Sequence, residues 1–283
     1  MTALLDQVED DPRTRLVARL LHELERLPAS RAVALRLVQV LDDPRAGAAA
    51  AAAVLSGDPA LTARVLRVAN SAYYGLSGRV STVSFAVTVV GFATVRSLAV
   101  VAAAGIGGQD DVPSGFWSRS AAVAEATSLV SRRCGGDAAE AFSTGLLHDL
   151  GSALLWRADR PRYAAVAKDA TLPGRSLALA QQRAYGATGA GLGGAVLRGW
   201  HFPDEICDAI VRRHDVVDRT APALARALQA GVVLADLAGP YAAPLGPAGR
   251  SALAVAGVKP DQTTPLVQQV RTAAAALAGT LSG

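Results

Sequence analysis

The stretch Gly145-Leu146-Leu147-His148-Asp149-Leu150-Gly151 decides how the rest of this 283-residue chain is read. Its adjacent His-Asp pair lies inside an apolar run with helical character, and burying two ionisable groups is costly unless something pairs with them. If the run is one helix, neighbouring side chains differ by roughly 100° and both can converge at the edge of a core-facing stripe. A neutral imidazole and a carboxylate meeting there make half of a metal site. The plainer reading is a satisfied core histidine beside a helix-surface aspartate. The choice between them rests on whether the other half of a site exists elsewhere in the chain.

Working outward, the composition is 51% hydrophobic but only 5% aromatic and is rich in alanine, which points to many close-packed helices. Uncharged runs such as Val80 to Val95 stop at Arg96, short of the ~20 residues needed to span a bilayer. The N-terminus carries Asp6, Glu9, Asp10 and Asp11 and shows no basic-then-apolar signal pattern. Cys134 and Cys207 stand apart with no Cys-x-x-Cys spacing, so neither a disulfide frame nor a zinc cluster is indicated. A cytoplasmic protein with no membrane segment is expected. The net charge of +4 is almost wholly arginine, since Lys168 and Lys259 are the only lysines. With no basic stripe interleaved with aromatics, nucleic-acid binding has little support.

The periodicity reads as helices throughout. Leu16, Leu20, Leu24 and Leu27 mark a first helix ending near Pro28, and Leu37, Val38 and Leu41 a second. The run Ala46 to Ala53 is a strong helix former. In Asp58-Pro59, Asp58 can cap free backbone N–H groups and Pro59 fits the first helical position. That helix reaches Asn70-Ser71, where the Asn70 amide suits a helix end bonded to backbone of the following Ser71 to Gly78 turn. Ser81 or Thr82 starts another helix, which Gly91 ends. Gly105 to Gly115 reads as a linker, giving residues 1–108 as one helical bundle and 112–283 as a second. In the second, Trp117 to Arg133 and Ala138 to Trp156 form a hairpin, and Pro203-Asp204-Glu205 opens a helix reaching His214. Leu224 to Ala238 follows, then a docked helix from Leu266 to Leu277. The run Gly186 to Gly194 lacks the strand a dinucleotide fingerprint requires, so its glycines read as helix-packing positions.

Several of these stretches together carry a family resemblance. Leu27-Pro28, Asp58-Pro59-Ala60-Leu61-Thr62, Leu66-Arg67-Val68-Ala69-Asn70-Ser71 and Ala86-Val87 with Val90-Gly91 resemble the HDOD domain family in order and spacing. The match continues through Phe116-Trp117, the His148-Asp149 stretch, Gly199-Trp200-His201-Phe202-Pro203 and Ala235-Asp236. HDOD domains are helical bacterial signalling modules related to the HD phosphohydrolases. The resemblance implies an all-α chain, an N-terminal helical bundle followed by an HD-like one. It also makes Asp58, Pro59, Asn70, Ser71, Gly91, Trp200 and Pro203 family structural positions. No receiver, cyclase, kinase or DNA-binding segment is left over, so a stand-alone module acting on signalling proteins in trans is expected.

The HD superfamily gathers metal with a first-helix histidine, the His-Asp pair and a later aspartate, and some members add two histidines. Carried over, His148 and Asp149 match the pair, Asp236 the later aspartate and His214 one added histidine. The first-helix histidine falls on Arg119 and the other added histidine on Gly189. A guanidinium stays protonated and cannot ligate a cation. The six positions Arg119, His148, Asp149, Gly189, His214 and Asp236 therefore read as a degenerate pocket, with no metal and no cofactor expected. Three functions follow: a non-catalytic signalling or scaffold module; a metal-dependent phosphohydrolase on His148, Asp149, Asp236 and His214; or a nucleotide sensor in which Arg119 reads a phosphate. The first is preferred. A guanidinium at position 119 can neutralise both Asp149 and Asp236, and its head group is expected within salt-bridge distance of Asp149 or Asp236, with a loss on the order of 3 kcal/mol when it is removed.

Overall fold

The computed structural model describes residues 29–43, 45–106, 110–169, 175–216, 218–240 and 244–281. The expected first helix and the Leu27-Pro28 motif lie outside these residues, as does the middle of the expected linker. The described residues form fifteen helices and no strand, so the fold is all-α.

The first helices are α1 (Ala29–Leu41), α2 (Ala48–Leu55), α3 (Pro59–Ala69), α4 (Val83–Val90) and α5 (Phe92–Ala103). Asp58 starts α3, its carboxylate accepting the Ala60 and Leu61 N–H groups at 3.0 Å each, with Pro59 where no donor is needed. Asn70 closes α3 by gripping a partner beyond the expected turn. Its amide donates to the Leu66 and Val80 carbonyls at 3.1 and 2.7 Å and accepts from the Val80 N–H at 3.0 Å. The Ser71 to Gly78 loop is thereby tied at its exit, because Val80 offers both a donor and an acceptor at one residue. Thr82 caps α4, accepting from the Phe85 N–H at 3.3 Å. Gly91 then turns the chain into α5 at φ +83°, a region other residues enter only with strain.

The chain continues through α6 (Phe116–Cys134), α7 (Ala138–Leu147), α8 (Leu150–Ala158), α9 (Arg160–Asp169) and α10 (Arg175–Tyr185). It ends with α11 (Gly189–Gly199), α12 (Asp204–Val211), α13 (Ala223–Ala238), α14 (Pro247–Val255) and α15 (Pro260–Leu281). Helix α6 is the spine, packed against α7, α13 and α15. Its small buried residues, Ala121, Ala122, Ala124 and Ala126 among them, let the neighbours approach closely. A Cβ on Gly145 of α7 would come within 2.6 Å of the Ala124 backbone, and one on Gly231 of α13 within 2.8 Å of the Thr127 backbone. Both crossings are therefore backbone against backbone.

The expected single helix from Ala138 to Trp156 is two helices, broken at the His-Asp pair. Two glycines give the reason. Gly145 is pressed on α6, while a Cβ on Gly151 would meet the Gly189 carbonyl of α11 at 2.0 Å. One straight helix would have to serve both contacts. Instead α7 ends at Leu147 with His148 as its cap, and Asp149, with φ −115° and ψ 19°, leaves the helical range before α8 begins.

One continuous apolar cluster runs through both sets of helices. Polar contacts reinforce the join. The Tyr73 hydroxyl donates to Glu125 of α6 at 2.8 Å, and its ring lies 5.7 Å from that of Phe142 in α7. Burial pushes the Glu125 carboxyl up, while the Tyr73 hydroxyl and Arg132 pull the other way. Arg96 of α5 pairs with Asp42 at 2.9 Å, lies 3.9 Å over the Phe202 ring and donates to the His201 carbonyl at 3.3 Å. His201 stands at φ +60°, the one non-glycine residue in that region among those described. The Trp200 to Pro203 motif is thus the socket into which α5 docks. No single helix of the described residues is long and apolar enough to cross a membrane.

Candidate functional site

Breaking the helix at the pair changes what His148 and Asp149 can do. As the residue that caps α7, His148 turns its ring back on its own helix, and Nδ1 lies 2.7 Å from the Gly145 carbonyl. A carbonyl only accepts, so Nδ1 carries the hydrogen and a neutral ring leaves Nε2 as a bare acceptor. That Nε2 is buried and has no partner, and the residue is only 2% exposed. Burial lowers the His148 pKa to about 3, with Arg213 and Arg119 acting in the same direction and Asp149 opposing. At neutral pH the ring is uncharged.

Asp149 has a partner that the sequence did not single out. Arg213, in the turn after α12, places Nη2 2.9 Å from the carboxylate, and its side chain is only 5% exposed. Its Nη1 reaches the Ile210 carbonyl at 3.4 Å. Burial pushes the Asp149 carboxyl up, but Arg213, with His148, Ser152 and Arg119, outweighs it and holds the group below the usual carboxylate range. The available clue was the pairing Arg212-Arg213 just ahead of His214, which reads as a solvated charge pair until the fold turns Arg213 inward.

Arg119 of α6 pairs with Asp236 of α13, its Nη1 on the carboxylate. The expected salt bridge of Arg119 with one of the two aspartates is present, and the other aspartate is held by Arg213, so each carboxylate has its own guanidinium. His214 lies in the turn beyond α12 rather than within the helix, and α12 ends at Val211. Burial, with Arg213 and Arg119, lowers its pKa to about 4.

A cavity of about 210 Å³ opens at this centre, lined by Arg119, His148, Asp149, Arg213 and His214 together with Ser152, Tyr163 and Gln181. Phe116, Ala167, Leu177 and Ala178 supply an apolar wall. Two of the sequence-assigned positions do not line it. Asp236 holds Arg119 without facing the cavity, and Gly189 lies behind Ser152, where a Cβ would come within 2.3 Å of the hydroxyl. Gly189 instead donates its N–H to Gln181 at 2.7 Å, so a histidine there has no room. Trp200 follows α11 and Pro203 precedes α12 in the socket for Arg96, away from the cavity.

The HD fold implies a divalent ion, and the donor set can be tested against it. Among the described residues no three of His, Cys, Asp or Glu come together in a way that could hold a metal. Both carboxylates that would ligate are taken by guanidinium groups, and a cation between two arginines would meet repulsion rather than ligands. The residues do not fit the ion.

With that geometry in hand, comparison with known proteins is informative. The sequence profile of the HDOD domain matches residues 27–216. The fold is similar to that of a candidate phosphohydrolase from Shewanella amazonensis SB2B, with TM-score 0.69 and 25% identity over 93% of this chain and 97% of that one. A candidate signal transduction protein from Marinobacter aquaeolei VT8 aligns at TM-score 0.74 and 23% identity, over 98% of this chain and 68% of that one. The MmoQ response regulator from Methylococcus capsulatus Bath gives TM-score 0.50 and 26% identity over 84% of this chain and 96% of that one. No curated protein matches the sequence.

Proposed function

The chain belongs to the HDOD family, and from that premise we propose that it is a regulatory module of the HD superfamily that does not hydrolyse phosphoesters and signals by binding other proteins. The observation that carries this reading is the pair of guanidinium groups at the centre of the HD fold, one on each carboxylate that a metal enzyme would need. In the HD enzymes an ion offsets the repulsion between such carboxylates and supplies the nucleophilic water. Arginines offset the same repulsion and supply no nucleophile. The fold is kept and the reaction is not. The similarity to a response regulator from Methylococcus capsulatus agrees with a signalling role.

The alternative, a metal-dependent phosphohydrolase, has one observation in its favour. His148 still presents an unpartnered ring nitrogen beside an aspartate, and a phosphohydrolase-like neighbour shares 25% identity. One experiment separates the two. Purified protein is assayed for metal content and for phosphodiester hydrolysis with added manganese, beside Arg119→His. Wild type is expected to hold no stoichiometric metal and to show no manganese-dependent hydrolysis. Arg119→His, which restores a ligand and removes a positive charge, is expected to gain manganese affinity. Manganese-dependent turnover by wild type would overturn the proposal.

A further inference from the structure

The cavity has features that charge repair alone does not call for. Neutralising two carboxylates needs two guanidiniums and no space, yet a cavity of about 210 Å³ remains in front of them. Arg213 is committed, with one nitrogen on Asp149 and another on the Ile210 carbonyl. Arg119 is held differently. It gives Nη1 to Asp236, which stands outside the cavity, while Arg119 itself lines the cavity and a guanidinium carries five N–H donors. Asp236 therefore holds the guanidinium by Nη1 from outside the cavity that Arg119 lines. Of the charged lining groups only Asp149 is negative, and it is held by Arg213, whereas the counter-charge of Arg119 stands outside the lining.

His148 is the second, independent feature. Its Nδ1–H is used by the Gly145 carbonyl, so Nε2 is an acceptor, buried and without a donor, on a residue that lines the same cavity. Buried acceptors left unsatisfied are rare because each forfeits its hydration. The site thus combines a fixed anion-binding fork, a lone pair that wants an O–H or N–H, and an apolar wall. Its volume lies below the roughly 300–1,000 Å³ of clefts that take drug-sized molecules. A whole nucleotide would not be enclosed.

We propose that this cavity is a receptor site for a small hydroxyl-bearing oxyanion, a phosphomonoester or carboxylate smaller than a nucleotide, its anionic group on Arg119 and its hydroxyl donated to His148 Nε2. The ligand is held and released unchanged, so the inference rests on the non-hydrolytic reading above only for its fate, not for its binding.

Inorganic phosphate and sulfate provide the sharpest test. They match in shape, but hydrogen phosphate carries an O–H donor at neutral pH and sulfate carries none. Calorimetric titration of the full chain is expected to rank phosphate above sulfate by about tenfold, the weight of one hydrogen bond to a buried acceptor. Glycerol 3-phosphate and glycerate are expected to bind at least as well as phosphate, and neutral glycerol not at all. Whichever of the two bearing phosphate or carboxylate binds tighter names the anionic group. Arg119→Gln is expected to weaken every anion by tenfold or more, and His148→Phe to abolish the preference for phosphate over sulfate. Because His148 is buried, its variant counts only if its thermal transition stays cooperative; the phosphate-to-sulfate ratio of wild type stands without it. Equal affinities for the two anions, no binding at millimolar concentrations, or unchanged binding by Arg119→Gln would overturn the inference. Hydrolysis of glycerol 3-phosphate during the titration would instead overturn the non-hydrolytic reading and leave the binding site supported.

Discussion

The two arginine–aspartate pairs at the centre are alike in chemistry and unlike in depth. In the Arg213–Asp149 pair the side chains are 5% and 20% exposed, and in the Arg119–Asp236 pair 30% and 38%. Depth decides what each is for. A carboxylate taken out of water must keep its counter-charge, since the effective dielectric falls and the lost hydration is not returned. The outer pair sits where water and salt already screen it. The inner pair therefore holds the fold together, and the outer pair positions a group that faces the cavity.

Separate removal of the two arginines tests this contrast. Arg213→Ala leaves Asp149 buried with an unpaired charge and is expected to cost about 3–5 kcal/mol by chemical denaturation. A loss below about 1 kcal/mol would show that water reaches Asp149 and would erase the distinction. Next in size is the response to acid. In the unfolded chain His148 and His214 take up protons near pH 6.5, whereas in the fold they stay neutral down to about 3 and about 4. Between those values the unfolded state binds more protons. Stability is therefore complete above pH 6.5 and falls as the pH drops below it, by up to about 1.4 kcal/mol per pH unit for each imidazole, over a window that closes near 4 for His214 and near 3 for His148. Asp149, whose carboxyl is held low and faces Arg213, His148 and Arg119, adds a further loss only at lower pH. Denaturation curves at a series of pH values check the window; a flat profile from pH 6.5 to 4.5 would mean that the imidazoles are solvated. The smallest effect belongs to Arg119→Ala, expected to cost about 1 kcal/mol or less and to shrink further in high salt. This revises the larger figure that the sequence suggested, because that figure assumed a buried pair.

Much of the local structure was legible in residue types. Asp58-Pro59 marked a helix start, Ser81 or Thr82 a cap and Gly91 a helix end, because capping and backbone preferences act over three or four residues and need no knowledge of the fold; the structure selects Thr82. Asn70 was legible as a helix end, but its partner Val80 was not, since ten residues of loop separate them. The pairing of Tyr73 with Glu125 was equally out of reach across 52 residues. The helix break at His148-Asp149 was missed. Nothing in Gly145 to Gly151 lowers helix propensity enough to force a break, and the cause lies in α6 and α11, which each claim one of the flanking glycines.

By itself the sequence determined that this chain is helical and that it carries the HDOD pattern. The first follows from periodicity and capping chemistry, and the second from short motifs in a fixed order and spacing, all properties of single residues or short runs. Only the tertiary structure decided that Asp149 belongs to Arg213 and Asp236 to Arg119, which contact Gly189 makes, and that a buried imidazole nitrogen is left without a donor. Pairing and burial are relations between residues distant in sequence. Their energies depend on distance and on access of water, and both are set by how the helices cross.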